Sequence, residues 1–449
     1  MTVDTQETPA AQALKGSNPT GSLTEEERRE VEQQRAAERA SFRRITSSKH
    51  AQRTLQPLNE LTDNMKPSRS TKSNLRLSIG DPTVDGNLKT PEIVTEAVVD
   101  VVRSGKFNGY PPTVGADNLR QVVSMYWRRF CQTKSRQEML KWENVIITSG
   151  VSQAIVLAIS GLCNEGDNIL VCAPSFPQYK SVCDSYGIEC RYYYLDPSKN
   201  WECDLNASAG MVDSRTKAFV IINPSNPCGS NFSRAHVSDI IDFCQHHQIP
   251  LISDEIYAEM VLNNGIFTSV ADFDTNVPRL IVGGTAKYQV CPGWRVGWSI
   301  LIDPLNVARD WALGMERLTQ LISGVNSICQ EAIARTLLKC PAESTHDIVA
   351  QLETGAKVYT RLLEHDVGIS MDAPQASMFV MLKLNFSYFK DLHTDMEFYE
   401  KLLDEENVQV LPGEIFGMGG FIRATVSRPP AVLNEAVDRI IEFCERHKK

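Results

Sequence analysis

The chain has 449 residues, 42% of them apolar, with 46 basic against 55 acidic side chains and a formal net charge of −9. That is enough chain for roughly two to three domains' worth of core and for a fully buried active site. The acidic balance gives no electrostatic reason to expect nucleic acid or an anionic membrane as a partner. No apolar run approaches the ~20 residues of a bilayer span. The acid-bearing N-terminus matches neither a signal peptide nor a mitochondrial presequence, so a cytoplasmic protein is expected. Twelve cysteines form no CxxC and no Cys/His spacing suited to zinc, so no metal is expected. Several, such as Cys172 and Cys244, sit inside apolar runs and read as buried thiols rather than as a disulfide framework.

Residues 1–70 are polar and highly charged. Within them "SLTEEERREVEQQRAAERA" carries a capping box at Thr24 and Glu27 ahead of a helix. Its apolar positions are too sparse for a core-facing stripe, which predicts a mobile extension rather than a domain. "NMKPSRSTKSN" reads as a linker, and residues 71–109 are expected to complete a smaller domain. From about residue 144, short apolar runs ("NVIITSG", "NILVCAPS", "AFVIINPS", "PLISDEIY") alternate with helical lengths such as "VSQAIVLAISGLC" and "RAHVSDIIDFCQHHQ". Strands apolar on both faces, each followed by a helix, predict an α/β fold with a mostly parallel, helix-covered sheet over 110–344. Residues 345–449 mix three helical segments with short strands ("SMFVMLKL", "FIRATVS") and predict a smaller α/β domain.

In open sheets of this type ligands bind beyond the carboxyl ends of the strands, and the polar residues of interest all fall there. "IITSGVSQAI" ends a strand at Ser149 and Gly150 and opens a helix. The backbone N–H groups around Val151 and Ser152, with the Ser152 hydroxyl, can face an anion, although an ordinary turn looks the same. Asn226 and Asp254 are separated by about one strand, helix, strand unit, so they can arrive side by side, with Tyr257 close behind. Taken singly they read as a turn residue and a helix cap. Lys287 follows the apolar "LIVGG"; a lysine at a buried strand end is desolvated, which lowers its pKa and frees its amine to condense with an aldehyde. Arg295, in the Pro- and Gly-containing turn "PGWRVGW", is a fixed charge suited to a phosphate. An aldehyde-accepting lysine, a phosphate seat, a carboxylate and hydrogen-bonding Asn and Tyr together describe a pocket for pyridoxal 5'-phosphate.

The ordered motifs "FNGYPPTVG", "NPSNPCG", "SDEIY", "TAK" with "PGWRVGW", and "GFIRATVS" resemble those of the fold type I pyridoxal-phosphate aminotransferases over about residues 75–445. The resemblance is greatest to the tyrosine-specific members. It implies a large domain, a smaller α/β domain, and ping-pong transfer of an amino group to a 2-oxo acid. Carried over by position, it implies that Lys287 bonds the cofactor aldehyde and moves the proton at substrate Cα, and that Asp254 pairs with the ring nitrogen. Asn226 and Tyr257 hydrogen-bond the ring oxygen, and Phe176 stacks on the ring. Arg295, Ser152, the Val151 amide and Thr285 hold the phosphate. Arg423 clamps the substrate α-carboxylate, and Gly80 belongs to the segment that closes over substrate. Tyr110 matches a tyrosine that reaches the neighbouring subunit's phosphate, which implies a homodimer. Two positions depart from the family pattern: Ala286 stands where Ser is frequent, and Cys228 where "NPTG" has Thr.

A second arginine for a distal carboxylate is not identifiable, which favours an aromatic donor, L-tyrosine foremost. Transamination of alanine or another uncharged amino acid, and β-elimination on the same fold, are the alternatives. A binding module without turnover fits poorly with so complete a set of catalytic positions.

Overall fold

The computed structural model describes residues 24–40 and 45–449. The first short strand, β1 (Leu75–Arg76), precedes a large sheet built from β2 (Val145–Ser149), β3 (Asn168–Ala173), β4 (Glu189–Asp196), β5 (Glu202–Cys203), β6 (Thr216–Ile222), β7 (Leu251–Asp254), β8 (Arg279–Gly284) and β9 (Val296–Ile302). Their spatial order is β2-β9-β8-β7-β6-β3-β4-β5. Strands β4, β3, β6, β7 and β8 run parallel to one another. β9 enters antiparallel between β8 and β2. Every residue of β3, β7 and β8 is buried. Helices cover both faces of such a sheet, and this is why these runs are apolar without alternation. The helices Gly150–Ser160, Gln178–Tyr186 and Arg234–His247 lie between successive strands. The last of them starts where the Ser233 side chain accepts the His236 N–H, an N-cap.

Beyond residue 345 the chain forms β10 (Ile369–Ser370), β11 (Phe379–Leu384), β12 (Val408–Gln409), β13 (Leu411–Pro412) and β14 (Phe421–Thr425). Four of these make an antiparallel sheet in the order β10-β11-β14-β13, while β12 pairs in parallel with β1. The helices Ala342–Tyr359 and Pro430–Arg446 pack on each other, and Asp395–Glu406 contacts β12, β13 and β14.

Two expectations for the N-terminal third meet a more detailed picture. Residues 75–77 do join the C-terminal strands: β1 is paired with β12, and the Leu77 carbonyl accepts the Thr425 N–H at 2.9 Å. The helix Glu92–Ser104, however, packs on Ser327–Thr336, which lies in the stretch assigned to the large domain. Within the stretch read as a charged extension, two helices, Lys49–Arg53 and Pro57–Asp63, belong to the same compact unit as everything up to Lys449. The helix Glu25–Ala40 belongs to a separate unit, where Thr24 and Glu27 cap each other reciprocally. No helix among the described residues is long and apolar enough to cross a membrane. All twelve cysteines are free thiols.

Candidate active site

Parallel pairing sets Ile222 of β6 against Asp254 of β7, so the loop after β6 and the end of β7 open at one edge. Asp254 is 3% exposed. Its carboxylate accepts the Tyr179 hydroxyl at 3.1 Å and the Ile256 N–H at 3.2 Å. Burial nonetheless dominates and pushes its pKa up to about 6. Lys287 lies just past β8, where the chain has left the strand and turned. Its amine donates to the Gly80 carbonyl at 2.7 Å and sits 5.8 Å from the Tyr257 ring centroid. Burial lowers its pKa to about 8; Asp81 and Asp254 oppose that shift, and Arg423 and Arg295 reinforce it. A large fraction of this amine is therefore neutral in mildly alkaline solution, as nucleophilic chemistry requires.

Arg423 arrives from the other sheet, on β14, paired with Met381 and Leu411. It donates to Asn226 Oδ1 at 2.9 Å and to the Ser78 carbonyl at 2.6 Å, and its guanidinium lies 4.1 Å from the Phe379 ring centroid. Its Nε is buried with no partner. A buried guanidinium with an unused donor is poised for a carboxylate.

Arg295 adopts a left-handed conformation, φ 56°, and donates to the Pro292 and Ser149 carbonyls at 3.1 and 3.0 Å. Two glycines make this possible. A Cβ on Gly150 would lie 2.4 Å from the Arg295 guanidinium, and one on Gly297 would lie 2.5 Å from the Gly150 carbonyl carbon. The arginine thus lies against the first turn of Gly150–Ser160, whose leading N–H groups have no partner within the helix. Positive charge and free N–H donors together form an anion seat.

Lys287, Asp254, Asn226, Tyr257, Val151, Ser152, Phe176, Arg295, Arg423 and Gly80 line one cavity of about 420 Å³. Thr285 is not brought there: it is fully buried, its hydroxyl donates to the Val296 carbonyl and accepts from the Cys291 thiol. Tyr110 does not line the cavity of its own chain either; it stands 93% exposed.

A family model for aminotransferase class I and II matches residues 72–440. The chain belongs to that family. Among curated relatives, this aminotransferase is 37% identical over 417 residues to the tyrosine aminotransferase of Mus musculus, covering 92% of this chain and 90% of that one. It is 35% identical over 412 residues to the tyrosine aminotransferase of Dictyostelium discoideum, covering 90% and 97%. Among solved structures, it superposes on tyrosine aminotransferase from Leishmania infantum with a TM-score of 0.90 at 91% identity, covering 91% of this chain and all of that one. Alanine aminotransferase from Pyrococcus furiosus superposes with a TM-score of 0.81 at 27% identity, covering 89% and 100%. The aminotransferase has the fold type I architecture and depends on pyridoxal phosphate, with amino and 2-oxo acids as its substrates.

The residues present fit that cofactor. The aminotransferase offers a lysine of lowered pKa for the aldehyde and an anion seat with no room for a Cβ at Gly150 for the phosphate. It also offers a buried carboxylate with no cation hydrogen-bonded to it for the ring nitrogen. Sequence reasoning missed four contributors. Tyr179 orients Asp254 from the helix Gln178–Tyr186, Phe379 supports Arg423, and Asp81 acts electrostatically on Lys287. The helix Pro57–Asp63 supplies Leu58, Asn59 and Thr62 to the cavity wall. Asp81, one residue after Gly80 in "LSIGDP", and Tyr179, three after Phe176 in "SFPQY", had nearby motifs that could have flagged them.

Proposed function

We propose that this aminotransferase transfers the amino group of an aromatic amino acid, L-tyrosine foremost, to a 2-oxo acid. The observation that carries the reading is the meeting of Lys287, Asp254 and Arg423 in one cavity. The names of the relatives, one of them 91% identical, support the aromatic donor. The cavity wall also carries the apolar side chains of Leu58, Ile79 and Phe176.

When bound, pyridoxal phosphate supplies an aldehyde for the amine and an electron-poor ring that stores the electron pair released on breaking the Cα–H bond. Arg423 binds the substrate α-carboxylate through two parallel hydrogen bonds and so fixes the direction of that bond. Lys287, its amine neutral, would take the proton from substrate Cα and, as one base serving both steps, give it back on the same face. Its lowered pKa suits both halves of that exchange. Asp254 holds a proton on the ring nitrogen, with Tyr179 and the Ile256 N–H keeping the carboxylate in place. Asn226 and Tyr257 would donate to the ring oxygen of the bound cofactor, and Phe176 would pack against its ring. Arg295, Ser152 and the Val151 N–H hold the phosphate. Tyr110, exposed on its own chain, completes the site of a second copy in a homodimer. Residues 110–344 and 345–449 act as large and small domains, with 71–109 contributing to the small one, and the protein works in the cytoplasm.

The test is a half-reaction without acceptor, comparing L-tyrosine, L-alanine and L-aspartate. The cofactor absorbance converts to that of its amino form fastest with tyrosine, with stoichiometric release of the 2-oxo acid. Failure of tyrosine to drive that conversion, or release of ammonia in place of amino-group transfer, rejects the reading.

A further inference from the structure

The helix Pro57–Asp63 is a partition. Leu58, Asn59 and Thr62 face the catalytic cavity, while Pro57, Glu60 and Leu61 face a second cavity of about 710 Å³ closed on its far side by the helix Asp395–Glu406. None of the seven residues of the partition is fully buried. A helix this short does not hold itself together in water; Leu61 and, just beyond the helix, Met65 pack on the hydrophobic core. The rest of its hold comes from the way its ends are tied.

The two ends are tied differently. On the N-terminal side Arg53 meets Glu165 at 2.9 Å, with side chains 40% and 70% exposed, and His50 Nδ1 lies 2.9 Å from the Ser185 carbonyl oxygen. That pair is a single contact open to solvent, which contributes little; the Arg69 side chain of the C-terminal tie is 85% exposed as well, against 29% for Asp404, so what sets the second tie apart is the number of bonds it gathers. On the C-terminal side a single residue, Asp404, gathers the chain. Its carboxylate accepts the Arg69 backbone N–H at 3.1 Å, Arg69 Nε at 2.9 Å, and Arg69 Nη2. Its backbone carbonyl accepts the Ser68 hydroxyl at 3.0 Å and the Ser70 N–H at 3.1 Å. The bonds from Arg69 hold the Asp404 carboxyl below the usual carboxylate range.

We propose that Asp404 is a positioning residue for substrate binding, acting through Pro57–Asp63 as the wall of the active-site cavity. The proposal rests on the reading of that cavity as the transaminase site. The wall brings no titratable group to the reacting atoms: Leu58, Asn59 and Thr62 contribute only surface and neutral polar groups. An interaction of that kind is equally present in the ground and transition states, so its loss raises KM and leaves kcat unchanged.

The experiment compares wild-type holoenzyme with Asp404→Ala and Asp404→Glu. In Asp404→Ala, KM for the preferred amino acid rises roughly two- to fivefold, the scale of a solvent-exposed charge pair. kcat and the cofactor absorbance spectrum stay at wild-type values, and backbone amides of residues 57–65 exchange with deuterium faster. Asp404→Glu, which keeps the charge, recovers most of the lost KM. Faster exchange with an unchanged KM overturns the proposal, as does a KM rise with unchanged exchange, or a fall in kcat that Asp404→Glu does not restore. A wild-type enzyme that turns over no amino acid defeats the transaminase reading instead, and the exchange data tell the two failures apart.

Discussion

The end of β7 carries two neighbouring carboxyl groups, Asp254 and Glu255, one on each face of the sheet. Both are buried, and burial raises both, to about 6 and about 7. Behind the sheet, Glu255 accepts from Ser253 at 2.9 Å, Ser269 at 2.7 Å, the Val270 N–H at 3.0 Å and Trp127 Nε1 at 3.1 Å. Asp254 accepts only two hydrogen bonds, although it looks into a cavity with room for a ligand. A carboxyl whose acceptor sites are all taken can only hold structure together. One left short of donors is available to a ligand, and the difference between the two is a matter of supply rather than burial.

The largest effect that sharpens this contrast comes from Asp254→Asn. Amino-group transfer falls roughly 10²–10³-fold, the scale of losing one well-placed electrostatic group, while the melting temperature barely moves. Single-turnover kinetics beside a thermal melt checks both halves. Glu255→Gln does the reverse. It turns an NH₂ toward donors that expect an acceptor, which costs about 1–3 kcal/mol in urea unfolding, and most of the turnover survives. Should the two variants behave alike in both assays, the distinction between front and back is broken.

The smallest effect is a pH slope. Because the folded pKa of Glu255 is raised from 4.5 to about 7, the folded chain binds more protons than the unfolded chain across that window. Its contribution to stability is therefore complete below 4.5 and is lost as pH rises through about 7. Unfolding of cofactor-free protein at pH 5 and pH 7 shows the decline in the wild type and a shallower one in Glu255→Gln.

What the sequence disclosed follows from how local each signal is. β3, β7 and β8 are continuous apolar runs because both their faces are covered, the meeting of Asn226 and Asp254 follows from the length of one crossover unit, and Lys287 from its place after the apolar run "LIVGG". Thr285 was given its phosphate role by the family resemblance alone, and it is not among the residues that line the cavity. β8 ends at Gly284, and the turn sends the Thr285 hydroxyl to Val296. The partition helix was invisible for the opposite reason. "PLNELTD" has only two leucines and no periodic stripe, and the residue that anchors the chain beyond it lies 335 positions from Arg69. Tyr179 stands three residues after Phe176 in "SFPQY", but only the packing of its helix brings its hydroxyl to Asp254.

Arg295 and the carbonyl it grips at Ser149 are 146 residues apart, joined by an antiparallel strand wedged between β8 and β2. The anion seat thus does not exist until β9, the last strand of the large sheet, has left the ribosome and slotted home. Arg423, on β14, is made later still, so the two positive ends of the cavity come from different stages of chain growth.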